Sequence, residues 1–108
     1  MEDTGVTVKE KLTSKKDRFT QLISLLRNEG FEVELICDDD FTSISFNTSN
    51  PDPIEISIQL FKDYFRVYYW DGYGVTEFYD YKNFSKAFKK FTKFLTKSKS
   101  NIEKFGLK

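Results

Sequence analysis

Residues 54–70, IEISIQLFKDYFRVYYW, carry the clearest structural signal in the sequence. From 54 to 60, isoleucine and leucine alternate with polar residues, which predicts a strand with one buried face. Residues 64–70 are dense in aromatic and β-branched side chains, which favour strands. The polar pair at 62–63 between them predicts a hairpin turn.

The position of that turn decides which side chains share a face of the sheet. A turn at 62–63 places Ile56 and Ile58 on the same face as Val67 and Tyr69, and this face is the predicted core. The opposite face then carries Phe61, Tyr64, Tyr68 and Trp70.

A second hairpin is expected at Asp71–Gly72, the strongest two-residue turn signal in the chain. It would bring back a strand over 75–79. It would also add Tyr73, Val75 and Tyr79 to the face opposite the core and place Arg66 across from Glu77.

Two further strands are predicted upstream, over 31–37 and 42–46. A four-residue loop at 38–41 pairs Leu35 with Ile44 and Val33 with Phe46. A three-residue loop would turn Ile44 to the solvent face, so side-chain parity favours the longer loop.

A helix is expected at each end of this sheet. Phe19, Leu22, Ile23 and Leu26 form one helical stripe, which predicts a helix over about 15–29 with Gly30 as its C-cap. Asn83 is a candidate N-cap for a helix over about 84–97. The apolar side of that second helix consists of Phe84, Ala87, Phe88, Phe91, Phe94 and Leu95.

These elements predict one domain over residues 1–108, with 1–13 as a loose lead-in and 98–108 as a Lys-rich tail. Short connections between strands favour an antiparallel meander of four or five strands. Both helices should pack on one face of it, so the predicted fold class is α+β, a two-layer sandwich with the order α-β-β-β-β-(β)-α.

The residue inventory argues against most kinds of catalysis. The chain has no histidine, which removes the commonest general base and metal ligand, and Cys37 is its only cysteine. There is no phosphate-binding glycine motif, and Asp38–Asp40 lacks the ligand spacing of a calcium loop. We therefore expect no catalytic residue, no metal, no cofactor and no enzymatic activity. The polar N-terminus and the lack of a long apolar run predict a cytoplasmic protein that does not bind membranes.

An aromatic surface is the first functional feature of the sequence. The candidate partner-binding residues are Phe61, Tyr64, Tyr68, Trp70, Tyr73 and Tyr79. If these side chains are exposed, they suit either a protein interface or a platform on which unpaired bases stack. Alternatively, the aromatic surface is covered by the first helix, by the tail, or by a second copy of the chain in a homodimer.

A split in charge is the second feature. Lysine and arginine together equal aspartate and glutamate at 17 each, yet residues 28–81 hold twelve acidic residues against two basic ones. Residues 82–108 hold nine lysines against one glutamate. Candidate nucleic-acid-binding residues on the second helix are Lys86, Lys89, Lys90, Lys93 and Lys97, although such a row of lysines commonly serves only to solvate a helix.

Together these features predict a small non-enzymatic protein that docks a protein partner through the aromatic surface and the acidic hairpins, as an inhibitor or immunity protein would. The alternative is sequence-independent nucleic-acid binding by the C-terminal helix. It ranks second because the aromatic surface is acidic and the lysines are expected on the opposite side of the sheet.

Overall fold

The computed structural model describes residues 11–49, 52–74 and 76–105. A short 3-10 helix, Leu12–Lys15, leads into helix α1, Lys16–Asn28. Five strands follow: β1 Val33–Cys37, β2 Phe41–Phe46, β3 Ile54–Leu60, β4 Phe65–Trp70 and β5 Thr76–Tyr81. Helix α2, Phe84–Phe105, closes the chain.

The five strands form one antiparallel meander in the order β1-β2-β3-β4-β5, so the predicted α+β class is confirmed. The predicted pairing of Leu35 with Ile44 is also confirmed. Strand β2 begins one residue earlier than expected because Phe41 pairs with Gln59 of β3.

Both helices pack on the same face of the sheet, and the core lies between the two layers. Phe19 of α1 meets three rings of α2 edge-on, at 5.4 to 6.1 Å between ring centroids: Phe84, Phe88 and Phe91. Tyr69 of β4 stacks on Phe94 at 4.7 Å. Aromatic packing between the helices and the central strands thus fixes which sheet face is covered.

The helix ends follow the predicted chemistry. Gly30 has a φ of 93°, and the amide of Phe31 donates to the carbonyl of Leu26, which closes the C-terminus of α1. The side-chain oxygen of Asn83 accepts the amide of Lys86 at 2.9 Å, as an N-cap of α2 does.

The predicted register between β4 and β5 is wrong. A five-residue loop replaces the two-residue turn, because the carboxylate of Asp71 accepts the amides of Tyr73 and Gly74 and widens the connection. Trp70 therefore pairs with Thr76, and Arg66 pairs with Asp80 instead of Glu77. The pairing is displaced by three residues, and a displacement by an odd number moves every side chain of β5 to the other face of the sheet.

The predicted end of the second helix at about residue 97 is also wrong. Helix α2 continues to Phe105, because Ile102 is 1% exposed and packs into the core. Asn101 donates a hydrogen bond to the hydroxyl of Tyr69, and Ser98 is buried with its hydroxyl donating to the carbonyl of Phe94. The part of the tail over 106–108 lies outside the described residues.

Part of the predicted lead-in is ordered as well. Leu12 is fully buried, and its amide donates to the carbonyl of Asp39 at 2.7 Å. This contact ties the 3-10 helix to the tip of the β1–β2 hairpin. The rest of the lead-in, residues 1–10, falls outside the described part of the chain.

Candidate functional site

The sheet face turned away from the helices carries a cluster of large rings, which we call the aromatic face. Its members are Phe61, Tyr64, Tyr68, Trp70 and Phe78. Phe78 is 54% exposed, and the other four rings are half-buried. Within the described residues both helices lie on the other side of the sheet, so these rings have no layer above them.

Arg66 lies at the centre of the aromatic face. Its guanidinium sits 4.5 Å from the ring centroid of Phe78 and 5.5 Å from that of Phe61. Phe61 in turn stacks on Tyr64 at 4.9 Å. Cation–π attraction to several rings holds them in one arrangement before any partner binds.

The positive charge of Arg66 is already neutralised by Asp80. Two hydrogen bonds join the guanidinium to the carboxylate, at 2.7 and 3.0 Å. This pairing holds the pKa of Asp80 below its usual value and raises that of Arg66 further. The guanidinium of Arg66 is thus not available to an incoming phosphate.

The carboxylates of the face outnumber its cation. Glu34 and Glu55 lie on the same side as Asp80, and Glu55 stands directly across from Trp70. A carboxylate beside an indole ring suits the ammonium or guanidinium of a partner. The face therefore complements a basic surface.

Two of the predicted partner-binding residues lie elsewhere. Tyr79 is on the helix side of the sheet, because of the register shift, and the ammonium of Lys90 lies 4.1 Å from its ring centroid. Tyr73 is 65% exposed in the loop between β4 and β5. Phe78 takes the place predicted for Tyr79. The sequence signal for it is weak, because β5 has aromatic residues at both parities.

The lysines of α2 fall into two groups. Four of them line one cleft of about 270 Å³ together with Tyr81: Lys86, Lys89, Lys90 and Lys93. Lys97 lies apart, where its ammonium binds the carboxylate of Glu77 at 3.2 Å. This contact and a hydrogen bond from the Tyr79 hydroxyl lower the pKa of Glu77.

The acidic tip of the β1–β2 hairpin is partly engaged by the chain itself. Asp39 accepts a hydrogen bond from Thr13 at 2.6 Å and pairs with Lys11 at 3.5 Å, and both lower its pKa. Cys37 beside it is half-buried and free, with its sulfur accepting a hydrogen bond from Thr42. Over the described ranges, no group of acidic, cysteine or histidine side chains is arranged to hold a metal ion.

Comparison of the chain with family models, with curated proteins and with solved structures finds no match. Neither of the described helices contains a stretch suited to crossing a bilayer.

Proposed function

We propose that this chain is a non-enzymatic binding protein that docks a protein partner through its aromatic face, in the manner of an inhibitor or an immunity protein. The observation that carries the proposal is the exposure of pre-arranged rings on the sheet face that neither described helix covers. Tyrosine, tryptophan and arginine are the residues most enriched at the energetic centres of protein interfaces.

The electrostatics of this face support a basic partner. Glu55 stands across from Trp70, Glu34 lies on the same face at the far edge of the sheet, and the guanidinium of Arg66 is bound by Asp80. The exposed side chains of Asp38 and Asp40 at the hairpin tip add negative charge along the same sheet. Such a field speeds encounter with a positively charged surface and repels a phosphate backbone.

The arrangement also favours docking over base stacking. A platform for unpaired bases needs cations that neutralise the phosphates next to each ring. On this face the guanidinium of Arg66 is paired with Asp80, and the lysines of α2 lie on the other side of the sheet. A protein partner satisfies both the rings and the carboxylates.

Affinity capture tests this proposal. The immobilised wild-type chain is compared with Tyr68→Ala/Trp70→Ala, in a lysate of the source organism, after nuclease treatment. Both side chains are half-buried on the aromatic face and lie outside the core, so the variant should fold, which circular dichroism checks. We expect the variant to lose the partner, by at least roughly tenfold, as substitution of interface hot spots does.

Leu25→Ala is the matched control, because Leu25 is 58% exposed on α1, away from the aromatic face. It should retain the partner in full. Equal capture by the wild type and the double variant would contradict the proposal, and so would loss of all captured protein on nuclease treatment.

A further inference from the structure

We infer that the free edge of the sheet at β5, together with the lysines of α2, accepts an extended acidic segment of another protein as a sixth strand. This inference concerns the edge of β5, which shares Phe78 with the aromatic face, and it does not depend on the function proposed above. Its partner is defined by chemistry: an extended peptide in which acidic residues alternate with apolar ones.

The hydrogen-bond pattern shows which groups of β4 are used by β3. The amide of Phe61 donates to the carbonyl of Tyr64 at 2.8 Å, which makes that pair a hydrogen-bonded one. Bonded and non-bonded pairs alternate along an antiparallel ladder. Arg66, Tyr68 and Trp70 therefore bond to β3, and the residues between them bond to β5.

The same alternation defines the outer edge of β5. Glu77, Tyr79 and Tyr81 lie opposite the β4 residues that bond outward, so their backbone groups are used within the sheet. The backbone N–H and C=O groups of the alternate residues point away from the sheet, and these residues are Thr76, Phe78 and Asp80. No described side chain bonds to these outward groups, so β5 presents both donors and acceptors at its edge.

The opposite edge of the sheet, at β1, differs from the β5 edge because a charged side chain bonds to its backbone. Strand β1 is the other terminal strand, and the guanidinium of Arg27 donates to the carbonyl of Val33 at 3.1 Å. Proteins commonly shield sheet edges with charged side chains in this way. Among the described residues β5 has no such shield, although its strand is as long as β2 or β4.

The lysines of α2 follow the β5 edge. Lys90 lies over Tyr79, and Lys97 binds Glu77. As the residue number rises along the helix, the number of the contacted strand residue falls. The helix therefore runs alongside β5 in the opposite direction. Its cleft with Tyr81 opens next to the edge.

Three lysines of this cleft have no ion pair with any described residue: Lys86, Lys89 and Lys93. A strand added to β5 would turn alternate side chains toward them and the others toward the exposed ring of Phe78. Acidic residues on the first side and apolar residues on the second match both surroundings. This mode of recognition takes its affinity from backbone hydrogen bonds and its specificity from alternate side chains.

A nucleic acid fits the same surface less well. Phosphates only accept hydrogen bonds, so they leave the outward carbonyls of the edge without donors.

A ten-residue peptide of alternating glutamate and valine is the probe for this inference. Binding is followed by fluorescence anisotropy, and amide hydrogen exchange is followed by NMR. We expect the amides of Thr76, Phe78 and Asp80 to exchange at least roughly tenfold more slowly in the complex, since strand addition protects them. The amides of Glu77 and Tyr79, already inside the sheet, should change less.

Lys86→Glu/Lys93→Glu should weaken peptide binding by about tenfold, because two attractive contacts become repulsive. Lys16→Glu/Lys62→Glu is the matched control, with the same change in net charge at exposed lysines away from the edge, and it should bind within about twofold. A peptide of the same charge with two central valines replaced by proline should not bind, because proline cannot pair as a strand.

Four results would each overturn the inference. One is the absence of peptide binding, and another is binding without protection of the three edge amides. A third is tighter, salt-sensitive binding of a single-stranded oligonucleotide without that protection, which would assign the lysines to nucleic acid. The fourth is protection of the edge in the free protein that rises with concentration, because a second copy would then occupy it.

Discussion

Arg66 organises the aromatic face at the scale of single residues. Its guanidinium bonds the carboxylate of Asp80 twice and contacts the rings of Phe61, Tyr64 and Phe78. One planar cation thus fixes the positions of three rings and removes its own charge from the surface. A lysine at this position would lack the flat, forked group that makes both kinds of contact.

The pairing of Arg66 with Asp80 predicts a specific dependence of stability on pH. The pKa of Asp80 is held below its usual value of 3.8 by the hydrogen bonds to Arg66. A carboxyl with a lowered pKa in the folded state stabilises the fold above its unfolded pKa, and this contribution is lost as the pH falls through the lowered pKa. Asp80→Asn should therefore lower the melting temperature at pH 7, and the difference from the wild type should vanish in strong acid.

Thermal unfolding followed by circular dichroism from neutral pH to about pH 2 measures this difference. Asp63→Asn is the control, because Asp63 is exposed in the turn between β3 and β4 and has no partner among the described residues. Its melting temperature should track that of the wild type throughout. A difference between Asp80→Asn and the wild type that persists unchanged at the lowest pH would show that the ion pair does not stabilise the fold.

At the scale of elements, the length of α2 decides how much of the chain belongs to the domain. Ile102 is buried two turns beyond Leu95, and Asn101 bonds the hydroxyl of Tyr69. The last turns of the helix therefore seal the end of the core. They are structural, although lysines dominate their surface.

Ile102→Ala tests the role of these turns. Removal of a buried isoleucine side chain generally costs about 2–5 kcal/mol of unfolding free energy, so we expect a loss in that range by urea denaturation. Ser100→Ala, at an exposed position in the same helix, should change the free energy of unfolding by less than about 0.5 kcal/mol. Equal and small effects of both substitutions would mean that residues 98–105 do not pack on the core.

The elements also show why some registers follow from the sequence and others do not. In β3 and β4 the apolar residues occupy one parity from Ile54 to Leu60 and from Phe65 to Tyr69, so only one register buries them. Strand β5 offers Phe78 and Tyr79 at neighbouring positions, and either can face the core. The Asp71–Gly72 pair favours a two-residue turn, and only the hydrogen bonds that the Asp71 carboxylate accepts from the amides of Tyr73 and Gly74 reveal the longer loop.

The sequence likewise predicts one part of the candidate site and not the other. Tyr68 and Trp70 follow from the parity of β4, and their exposure on the face opposite the core was expected from the sequence. Phe78 and the pairing of Arg66 with Asp80 depend on the β4–β5 register, which tertiary contacts fix. The grouping of the lysines into a cleft beside β5 requires the angle between helix and sheet, which periodicity does not contain.

At the scale of the whole molecule, the two sheet faces have opposite electrostatic character. Three carboxylates accompany one paired guanidinium on the aromatic face, whereas α2 brings lysines to the other layer. Zero net charge therefore hides a molecule with two surfaces of opposite charge.

This distribution predicts that the chain does not pair with itself through the aromatic face. A two-fold interface through this face would place the same acidic surface on both copies, and like charges at close range disfavour contact. We expect sedimentation velocity at micromolar concentration to give a monomer of 12.8 kDa. A dimer that Phe78→Ser dissociates would show instead that this face is a self-association surface.

The central claim is that a protein partner lies on the aromatic face, and site-specific photo-crosslinking tests it most directly. A photoreactive phenylalanine analogue replaces Phe78 in one variant and Leu25 in another, two side chains of nearly equal exposure at 54% and 58% on different surfaces. Irradiation in a lysate of the source organism should give a discrete, nuclease-resistant protein adduct at position 78 and none at position 25. An adduct at position 25 alone, or at neither position, would contradict the account.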